Sequence, residues 1–563
     1  MKIKKELMII IAVMLLAFAL RAYHINAPFT DHHSWKQTEV AEEARNFYEV
    51  KYNIFYPLVS AHADDADGNF VFSWNEKPGL HYIEEVFPLV PFLAATLYFI
   101  FGEHPWIGRL VVILFSIGTI PYLYWLVKRR ISKDAALFSV LFFAVLPLNI
   151  FFGRAFQEES AMIFFIVAGL YHIGRWVDTD LYKDLFIGGI FIALSIMVKI
   201  PNLYIGLPIA YLMHEKYGWK FLTNKKTWIL ACAILMPPLL YYGFAHYGPF
   251  QQSNISITFG NTDTIKDLIG GNWEKIAFLQ PLFYTQNYQH IRYTLFTTFG
   301  SIIFLIGLFI IPVKNEDEKK IKETAKKEAH RKDYLFHFWL LSVIISFYII
   351  ASQTIPHTYY KMPLVPVGSV FMGIIMDKLK NKTFRIESRP DKSAEDRLNK
   401  PIRIGAFVFI IPLILLAASV YNVLPLYSQN MLVYYAAKDL EQVSKKDDLV
   451  ITVLYGDDPE VLYNADRKGW GIGTGALKID RIERWRNAGA KYMIDLLPSE
   501  LNNFPEERDY LLSNYNFINR NNYWLIFDLR QKRDVPLNLT QAVQQAEAQK
   551  ADTQKQADAQ QGN

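Results

Sequence analysis

The most constraining feature of this sequence is a series of long uncharged apolar runs that alternate with short charged stretches. Clear examples are Leu7–Leu20, Ile107–Val127 and Ile404–Val420. Of the 563 residues, 52% are hydrophobic and 20% are charged, so the two kinds of residue must be segregated along the chain. Apolar runs of this kind are typical of bilayer-spanning helices. The sequence therefore predicts an α-helical polytopic membrane protein.

Three further observations narrow the class. The N-terminal run follows a basic start, as in a signal peptide, but Arg21, Ala22 and Tyr23 stand where a small-residue cleavage site would be, so we expect a retained anchor. The single cysteine, Cys232, excludes an intrachain disulfide and indicates no thiolate metal site. The net charge of +5 is concentrated in loops between apolar runs, which favours membrane orientation over nucleic-acid binding.

Basic residues predict which loops share a side of the membrane. They cluster at the N-terminus and in the stretches 128–133, 216–226, 314–332 and 378–403, all of which the positive-inside rule places in the cytoplasm. This assignment requires Phe87–Phe101 to be a re-entrant or interfacial segment, because a span there would place Lys128 to Lys133 outside. The apolar run is also shorter than the about 20 residues of a spanning helix.

The resulting topology has about 11 to 13 spans in the cell (inner or plasma) membrane, with a cytoplasmic N-terminus and an external C-terminus. Residues 1–421 form the transmembrane domain, in which residues 22–106 are a first external loop with interfacial helices. After the N-terminal anchor, the predicted spans lie near 107–127, 135–152, 160–174, 184–199, 201–214, 228–245, 294–313, 334–351, 361–376 and 404–421. One alternative stays open, since the segments on either side of Lys199 to Asn202 could form one long tilted helix.

Residues 422–538 are predicted to form a small external α/β domain. Strand patterns at 449–455, 492–496 and 523–529 alternate with helical patterns at 480–488 and 505–514. Residues 539–563, rich in Gln, Ala and Lys, have no apolar periodicity and are predicted to be disordered.

Asp31 is the first candidate for chemistry, because it follows the first apolar run at a distance that keeps it near the outer membrane surface. A carboxylate there can accept a proton from a hydroxyl group as a general base. Alternatively, Thr30 or Asp31 would suit the N-cap of the following helix. Glu84 and Glu85, later in the same loop, are either further candidate acids or interfacial charges.

A second candidate region lies in the turn Phe152–Met162, between two predicted spans. Arg154, Glu158 and Glu159 stand close to hydrocarbon there, where charges are unfavourable and therefore suggest function. The alternative is an Arg154–Glu158 pair at i, i+4 that only neutralises the turn.

Cations at predicted external helix boundaries form a third set, made up of Arg154, Lys199, Arg292 and Lys361. Each one alone is explained by snorkelling of its side chain. Together they suit a phosphate leaving group, whose negative charge Lys and Arg stabilise.

The junction from His357 to Pro366 is rich in aromatic rings, which either belong to the interfacial belt or stack on sugars. The first loop also offers scattered metal ligands without zinc or calcium-loop spacing, namely His32, His33, His62, Asp64, Asp65, Asp67 and His81. We assign no metal ligand and no certain cofactor, and a divalent metal stays an open alternative.

Several short segments along the chain carry motifs that can be compared with those of known families. They are Asp31 to Thr38 followed by Ala44 to Phe47, Phe87 to Leu89 with Gly102, Gly108 to Leu110, Gly153 to Glu159, and His357 to Pro366. Together they resemble the GT-C glycosyltransferases, in particular the protein O-mannosyltransferases and the lipid A aminoarabinose transferases. The similarity runs through most of residues 1–421, whereas the external domain matches less diagnostically, through Asp458 with Pro459 and through Arg467 to Trp470.

The resemblance implies a GT-C-like membrane fold, a dolichyl- or undecaprenyl-phosphate sugar donor, and inverting transfer of a hexose or pentose. The acceptor would be a hydroxyl of a lipid, glycan or protein at the external face. By motif, Asp31 is the catalytic carboxylate of the first loop and Glu159 the second acid. Lys77 is similar to a phosphate-contacting lysine of the aminoarabinose branch, although Gly79 departs from that motif.

The predicted donor phosphate-binding residues are thus Lys77, Arg154, Lys199, Arg292 and Lys361, and the predicted substrate-binding residues are His33, Glu85, Glu158, His357, Tyr359 and Tyr360. Two other classes stay open. A transporter or lipid-linked-sugar flippase also carries charges at membrane boundaries, but this chain has no convincing internal repeat. A non-catalytic assembly or receptor protein would keep Asp31 and Glu159 far apart.

Overall fold

The fold is described from a computed structural model. The structure describes residues 2–62, 80–82, 86–247, 275–313, 332–380, 383–384, 402–403, 408, 410–454, 459–518 and 523–537, with isolated positions between 540 and 549.

Helices dominate the first three quarters of the chain. The first group is α1 (Lys2–Arg21), α2 (Ser34–Glu49), α3 (Leu89–Phe101), α4 (Pro105–Arg130), α5 (Lys133–Val145), α6 (Pro147–Phe152), α7 (Glu159–Thr179), α8 (Tyr182–Val198), α9 (Gly206–Tyr217) and α10 (Lys225–Tyr247). The second group is α11 (Pro281–Gln289), α12 (Thr297–Leu308), α13 (Leu335–Ile349), α14 (Ala351–Thr354), α15 (Leu364–Lys380) and α16 (Ile410–Val423). Their buried faces form one large apolar core.

The predicted polytopic α-helical class is confirmed. Among the described residues, four helices are long and apolar enough to cross a membrane, Pro105–Arg130, Glu159–Thr179, Lys225–Ala245 and Ile410–Val443. The pair Pro281–Leu295 and Thr297–Leu308, bent by 103°, makes a fifth if it is one span. Helices stand at the other predicted spans, but several are shorter, such as α9 with 12 residues, so the total of 11 to 13 stays a prediction. The segment predicted to be interfacial forms α3, which has only 13 residues.

The alternative of one long tilted helix around Lys199 does not fit the structure. Helix α8 ends at Val198, Lys199 is extended with φ −154° and ψ 109°, and a 3₁₀ segment, Ile200–Ile205, leads into α9. Pro201 explains the break, because the residue before a proline avoids the helical conformation and proline has no N–H to donate. This favours the predicted two separate segments.

The C-terminal region forms a six-stranded sheet with helices on both faces. Its strands are β6 (Leu449–Leu454), β7 (Lys468–Gly473), β8 (Ala490–Asp495), β9 (Tyr515–Ile518) and β10 (Leu525–Lys532), together with β2 described below, in the order β2-β7-β6-β8-β10-β9. The helices are α17 (Met431–Val443), α18 (Glu460–Ala465), α19 (Ile479–Asn487), α20 (Pro498–Leu501) and α21 (Pro505–Asn514). Two separate apolar clusters pack α17 and α18 on one face and α19 to α21 on the other.

This sheet is not built from the C-terminal region alone. The first loop contains the short strands β1 (Leu58–Val59), β2 (Ala61–His62) and β3 (His81–Tyr82), and β2 pairs in parallel with β7. Gly469 lies at this contact with φ +150°, and a Cβ there would approach the carbonyl oxygen of Val450 to 1.8 Å, so glycine is required. The short strands β4 (Thr383–Phe384) and β5 (Ile402–Arg403) pair separately. The first loop and the C-terminal region are therefore joined through one sheet.

Candidate active site

The carboxylate of Asp31 lies in a closed pocket between three elements. Asp31 is 3% exposed, and its Oδ2 accepts a hydrogen bond from Nη2 of Arg154 at 2.5 Å. Arg109, at the start of α4, places Nη2 3.6 Å from the same oxygen. Gln37 of α2 donates from Nε2 to Oδ1 at 2.5 Å. Charge-assisted hydrogen bonds of this kind fix a carboxylate in one orientation.

The two arginines are themselves held by backbone carbonyls of the first loop. Arg109 donates to the carbonyl oxygens of Ile25 at 3.1 Å and of Ala27, and Arg154 donates to that of His24 at 3.3 Å. The guanidinium of Arg154 also lies 4.4 Å from the ring centroid of Tyr427. Asp31 is thus the anionic centre of a buried cationic pocket.

Two simpler interpretations from the sequence are wrong. Neither Thr30 nor Asp31 caps α2, because the N-cap is His33, in the left-handed conformation with φ 54° and no side-chain cap. The i, i+4 pair of Arg154 and Glu158 does not form, since Arg154 pairs with Asp31.

Glu159 and Lys199 form a second charged pair, at the edge of an open cleft. Nζ of Lys199 donates to Oε1 of Glu159, the first residue of α7. The same ammonium lies 4.6 Å from the ring centroid of Tyr359 and 5.2 Å from that of Tyr360. The cleft is lined by these four residues with Met162, Pro201, Asn202, Tyr204, Ser346, Ile350 and Pro363.

Glu158 differs from both other acids. It is 1% exposed, and among the residues that the structure describes neither of its carboxylate oxygens has a hydrogen-bond partner. Burial raises the pKa of Glu158, and Glu159 adds to this, while Lys36 and Lys199 act in the opposite direction.

Histidines of the first loop meet the junction at 357–361. Nε2 of His32 and of His33 lie 2.9 Å and 3.2 Å from Oγ1 of Thr358. The ring of His33 is 5.1 Å from that of Tyr359, which stacks on His357 with the same centroid separation. Burial lowers the pKa of His33 to about 2 and that of His357 to about 4, so both rings are neutral at neutral pH.

The predicted phosphate-binding cations have different surroundings. Lys199 lines the cleft, and the buried Lys361 donates to the carbonyls of Thr354 and His357, with no carboxylate paired to it among the described residues. Arg154 is engaged by Asp31. Arg292 donates to the hydroxyls of Tyr288 at 2.8 Å and Thr298 at 3.1 Å, away from the cleft-lining residues. Lys77 and Glu85 lie outside the described residues.

The described acids do not suit a metal ion. Within the described ranges, no group of three or more His, Cys, Asp and Glu side chains converges in a way that could hold one. Asp31 is occupied by guanidinium groups and Glu159 by an ammonium group, and these positive charges oppose a cation. We therefore derive no step through a metal.

Sequence reasoning missed part of this site. Arg21, Gln37, Arg109, Thr358 and Tyr427 were given no role, although Arg21 and Arg109 are charges at the ends of apolar runs, which is a usable signal. Arg21 is fully buried and donates from Nε to Oγ of Ser116 at 2.9 Å. Gln37 gives no such signal, because its role depends on a hydrogen bond from α2 to Asp31, which lies just before the start of that helix.

Comparison with known proteins gives the class of fold. The sequence model of the dolichyl-phosphate-mannose-protein mannosyltransferase family matches residues 84–242. The fold is similar to ArnT from Cupriavidus metallidurans, crystallised bound to undecaprenyl phosphate, with a TM-score of 0.55, 11% identity, and 93% of this chain and 97% of that chain covered. It is also similar to the Archaeoglobus fulgidus oligosaccharyltransferase, crystallised with zinc and sulfate, with a TM-score of 0.53, 15% identity, and 91% and 72% covered.

A further relative is an uncharacterized protein of Aquifex aeolicus, 25% identical over 349 residues, which are 60% of this chain and 72% of that protein. The predicted resemblance is confirmed by these matches: the fold is that of the GT-C glycosyltransferases, which are membrane proteins. The family model covers less than half of the chain, whereas the fold match extends over nearly all of ArnT. The sugar, the acceptor and the membrane face belong to the proposal below.

Proposed function

We propose that this chain transfers a sugar from a polyprenyl-phosphate-linked donor to a hydroxyl group of a lipid, glycan or protein acceptor at the external membrane face. The transfer inverts the configuration at the anomeric carbon. The donor is a dolichyl- or undecaprenyl-phosphate derivative of a hexose or pentose. The observation that carries this proposal is the cleft at which Glu159, Lys199, Tyr359 and Tyr360 meet.

The cleft offers the groups that this reaction needs. Tyr359 and Tyr360 present rings on which a sugar can stack, and Lys199 lies against both rings. When the bond from the anomeric carbon to the phosphate oxygen breaks, negative charge develops on the phosphate, and a nearby ammonium stabilises it. Lys361, buried without a carboxylate partner among the described residues, is a second cation for this purpose.

The position of the cleft supports a lipid-linked donor. It opens where α7 begins and where the break after α8 interrupts the helical segment, so its polar groups stand at the ends of apolar helices. A polyprenyl phosphate has an apolar chain that lies in the bilayer and a charged phosphate at its end, which suits a cleft with polar groups at the ends of apolar helices. The similar fold of ArnT, crystallised bound to undecaprenyl phosphate, supports the same donor class.

The acceptor oxygen attacks the anomeric carbon, the bond to the donor phosphate breaks, and the proton of the acceptor hydroxyl passes to a base. Asp31 is the base that the sequence resemblance predicts. Its carboxylate and Glu159 are joined through the turn after α6, because Arg154 binds Asp31 and Glu159 begins α7. This shared turn argues against a non-catalytic receptor in which the two acids are unrelated.

The test is a transfer assay on the full-length protein in liposomes, with labelled undecaprenyl- and dolichyl-phosphate sugars and a membrane extract as acceptor source. We expect release of free polyprenyl phosphate and a labelled product, and we expect Lys199→Gln to lower turnover by at least about 100-fold. The matched control is Lys438→Gln, which changes a lysine in an exposed pair with Glu441. Movement of intact donor across the liposome membrane without transfer would instead establish a flippase.

A further inference from the structure

The ends of four helices meet on the side of the membrane domain that lies opposite to the candidate site. Glu159 begins α7 and Lys199 follows the end of α8, so the turn between these two packed helices lies about 30 Å from the cleft. In that turn, Asp180 lies 3.3 Å from Nζ of Lys216 at the end of α9 and 2.8 Å from Nζ of Lys226 at the start of α10. We call residues 180–186 and 216–228 the distal surface.

The distal surface carries an excess of positive charge. Lys216 and Lys226 share Asp180 as their carboxylate partner within the described ranges. Three more lysines are exposed and pair with no carboxylate in the part of the chain that the structure describes, namely Lys183, Lys220 and Lys225. Five ammonium groups on one side of the molecule therefore face a single paired acid, and such a concentration of charge attracts an anion.

Exposed apolar side chains stand among these lysines. Trp219 is 76% exposed and Trp228 60%. Nε1 of Trp228 donates to the carbonyl of Leu222 at 2.9 Å, which holds the 3₁₀ segment Gly218–Thr223 against the start of α10. Tryptophan rings next to lysines at the ends of apolar helices are typical of the boundary between hydrocarbon and lipid headgroups. The distal surface therefore combines a cationic part with an apolar part.

This combination determines which kind of partner fits. A second copy of the chain would bring like charges together, which electrostatic repulsion opposes. A soluble acidic protein would pair with the lysines but leave the rings beside α10 uncovered, and α10 is apolar and long enough to cross a membrane. A phospholipid with an anionic headgroup matches both parts, because its phosphate accepts hydrogen bonds from ammonium groups and its acyl chains cover the rings.

We propose that the distal surface binds an anionic phospholipid, with the headgroup held by its lysines and the acyl chains against Trp219 and Trp228. Nζ of Lys226 lies 4.9 Å from the ring centroid of Tyr182, so the start of α10 adjoins the start of α8 and one headgroup can reach lysines of both. A zwitterionic lipid is a weaker ligand, because its own cation adds to the positive charge. This binding is independent of sugar transfer, since the surface lies at the far ends of the helices that carry the cleft.

The experiment uses the full-length protein in liposomes of phosphatidylglycerol and phosphatidylcholine in equal amounts. One of the two lipids at a time carries brominated acyl chains, which quench tryptophan fluorescence on contact. The difference between the unchanged protein and the double variant Trp219→Phe, Trp228→Phe isolates the quenching of these two rings. We expect the rings to prefer phosphatidylglycerol over phosphatidylcholine by about fivefold or more. The triple variant Lys183→Gln, Lys220→Gln, Lys225→Gln should bring this preference close to one.

The matched control removes the same charge from exposed lysines of the C-terminal region, with the triple variant Lys438→Gln, Lys445→Gln, Lys478→Gln. It should keep the preference for phosphatidylglycerol. The proposal is overturned if the unchanged protein shows no preference, if the preference survives loss of the lysines of the distal surface, or if the control triple abolishes it equally. If neither brominated lipid quenches the two rings, a second copy of the chain covers them and the lipid site is refuted. Size-exclusion profiles check that each variant is folded.

Discussion

The pocket of Asp31 and the turn that carries Glu158 contain acids of equal burial in very different surroundings. Asp31 is 3% exposed and Glu158 1%, yet the first is enclosed by two guanidinium groups and an amide, and the second has no donor. The difference separates two uses of a buried charge. Loss of one partner of a paired carboxylate leaves the other charge buried and uncompensated, whereas an unpaired buried carboxyl group itself weakens the fold.

The C-terminal region, which contains the six-stranded sheet, repeats this contrast. Glu483 accepts hydrogen bonds from the hydroxyls of Tyr510 at 2.7 Å and of Tyr515, and Lys532 lies 3.0 Å from it. Asp495, at the end of β8, is fully buried and has one oxygen, Oδ2, without a partner. The same distinction can therefore be tested in two parts of one chain.

The largest effect is expected for Asp31→Asn. This change leaves Arg154 and Arg109 buried without their carboxylate, so we expect the free energy of unfolding to fall by about 3–5 kcal/mol. Denaturant unfolding in detergent measures it. The double variant Asp31→Asn with Arg154→Gln should lose less than the sum of the two single changes, because it removes both members of the pair. Additive losses would show that the pair is not coupled and would remove the contrast with Glu158.

The next effect is a pH dependence of opposite sign for Glu483 of α19 and Asp495 of β8. Burial alone would raise the pKa of Glu483, but hydrogen bonds from Tyr515 and Tyr510 lower it from 4.5 to about 2. Its contribution to stability is therefore present above pH 4.5 and is lost as pH falls towards 2. Burial raises the pKa of Asp495 from 3.8 to about 6, so this group weakens the sheet as pH rises from about 4 to 6.

At pH 7 we accordingly expect Glu483→Gln to destabilise the sheet and Asp495→Asn to stabilise it, each by about 2 kcal/mol. Hydrogen exchange of the amides in β8 and β10, corrected for the intrinsic dependence on pH, gives the local free energy in the full chain. If both variants change the local free energy of the sheet in the same direction, the distinction between paired and unpaired acids is contradicted.

A smaller effect is expected for Glu158→Met. This replacement has a similar volume and removes a buried carboxyl group that has no hydrogen bond, so the free energy of unfolding should rise by about 1 kcal/mol. Thermal unfolding in detergent measures this change. If stability falls by several kcal/mol instead, Glu158 has a structural role and the comparison with Asp31 no longer holds.

The sequence was most informative where periodicity and charge act locally. Apolar runs predicted the helices of the membrane part, and alternation predicted β6, β8, β10, α19 and α21 within a few residues. The strand β7 was missed because it contains Gly469, Gly471 and Gly473, which hide a strand pattern. The strand β2 was missed because two residues carry no periodicity, and its pairing with β7 joins positions about 400 residues apart.

The candidate site was predictable by residue type and only partly by role. Charges next to hydrocarbon identified Asp31, Glu158, Glu159 and Lys199 as candidates, and the structure places the last two together at the cleft. The surroundings of Asp31 depend on Arg109 and Gln37. The positions of these two residues follow from packing between helices that are distant in sequence. For the same reason Arg292, which fits the pattern of a phosphate ligand, contacts only tyrosines and a threonine in the described structure.

The smallest effect is expected where an ion pair is exposed. Lys446 lies 3.0 Å from Glu49 at the end of α2 and 2.9 Å from Asp466 after α18, and so connects the first loop to the C-terminal region. Its side chain is 51% exposed, and an ion pair in water contributes little because solvent and salt screen it. We expect Lys446→Ala to change the free energy of unfolding by no more than about 0.5 kcal/mol. A loss as large as that of Asp31→Asn would mean that the presence of a partner, and not its burial, decides how much a charge contributes to this fold.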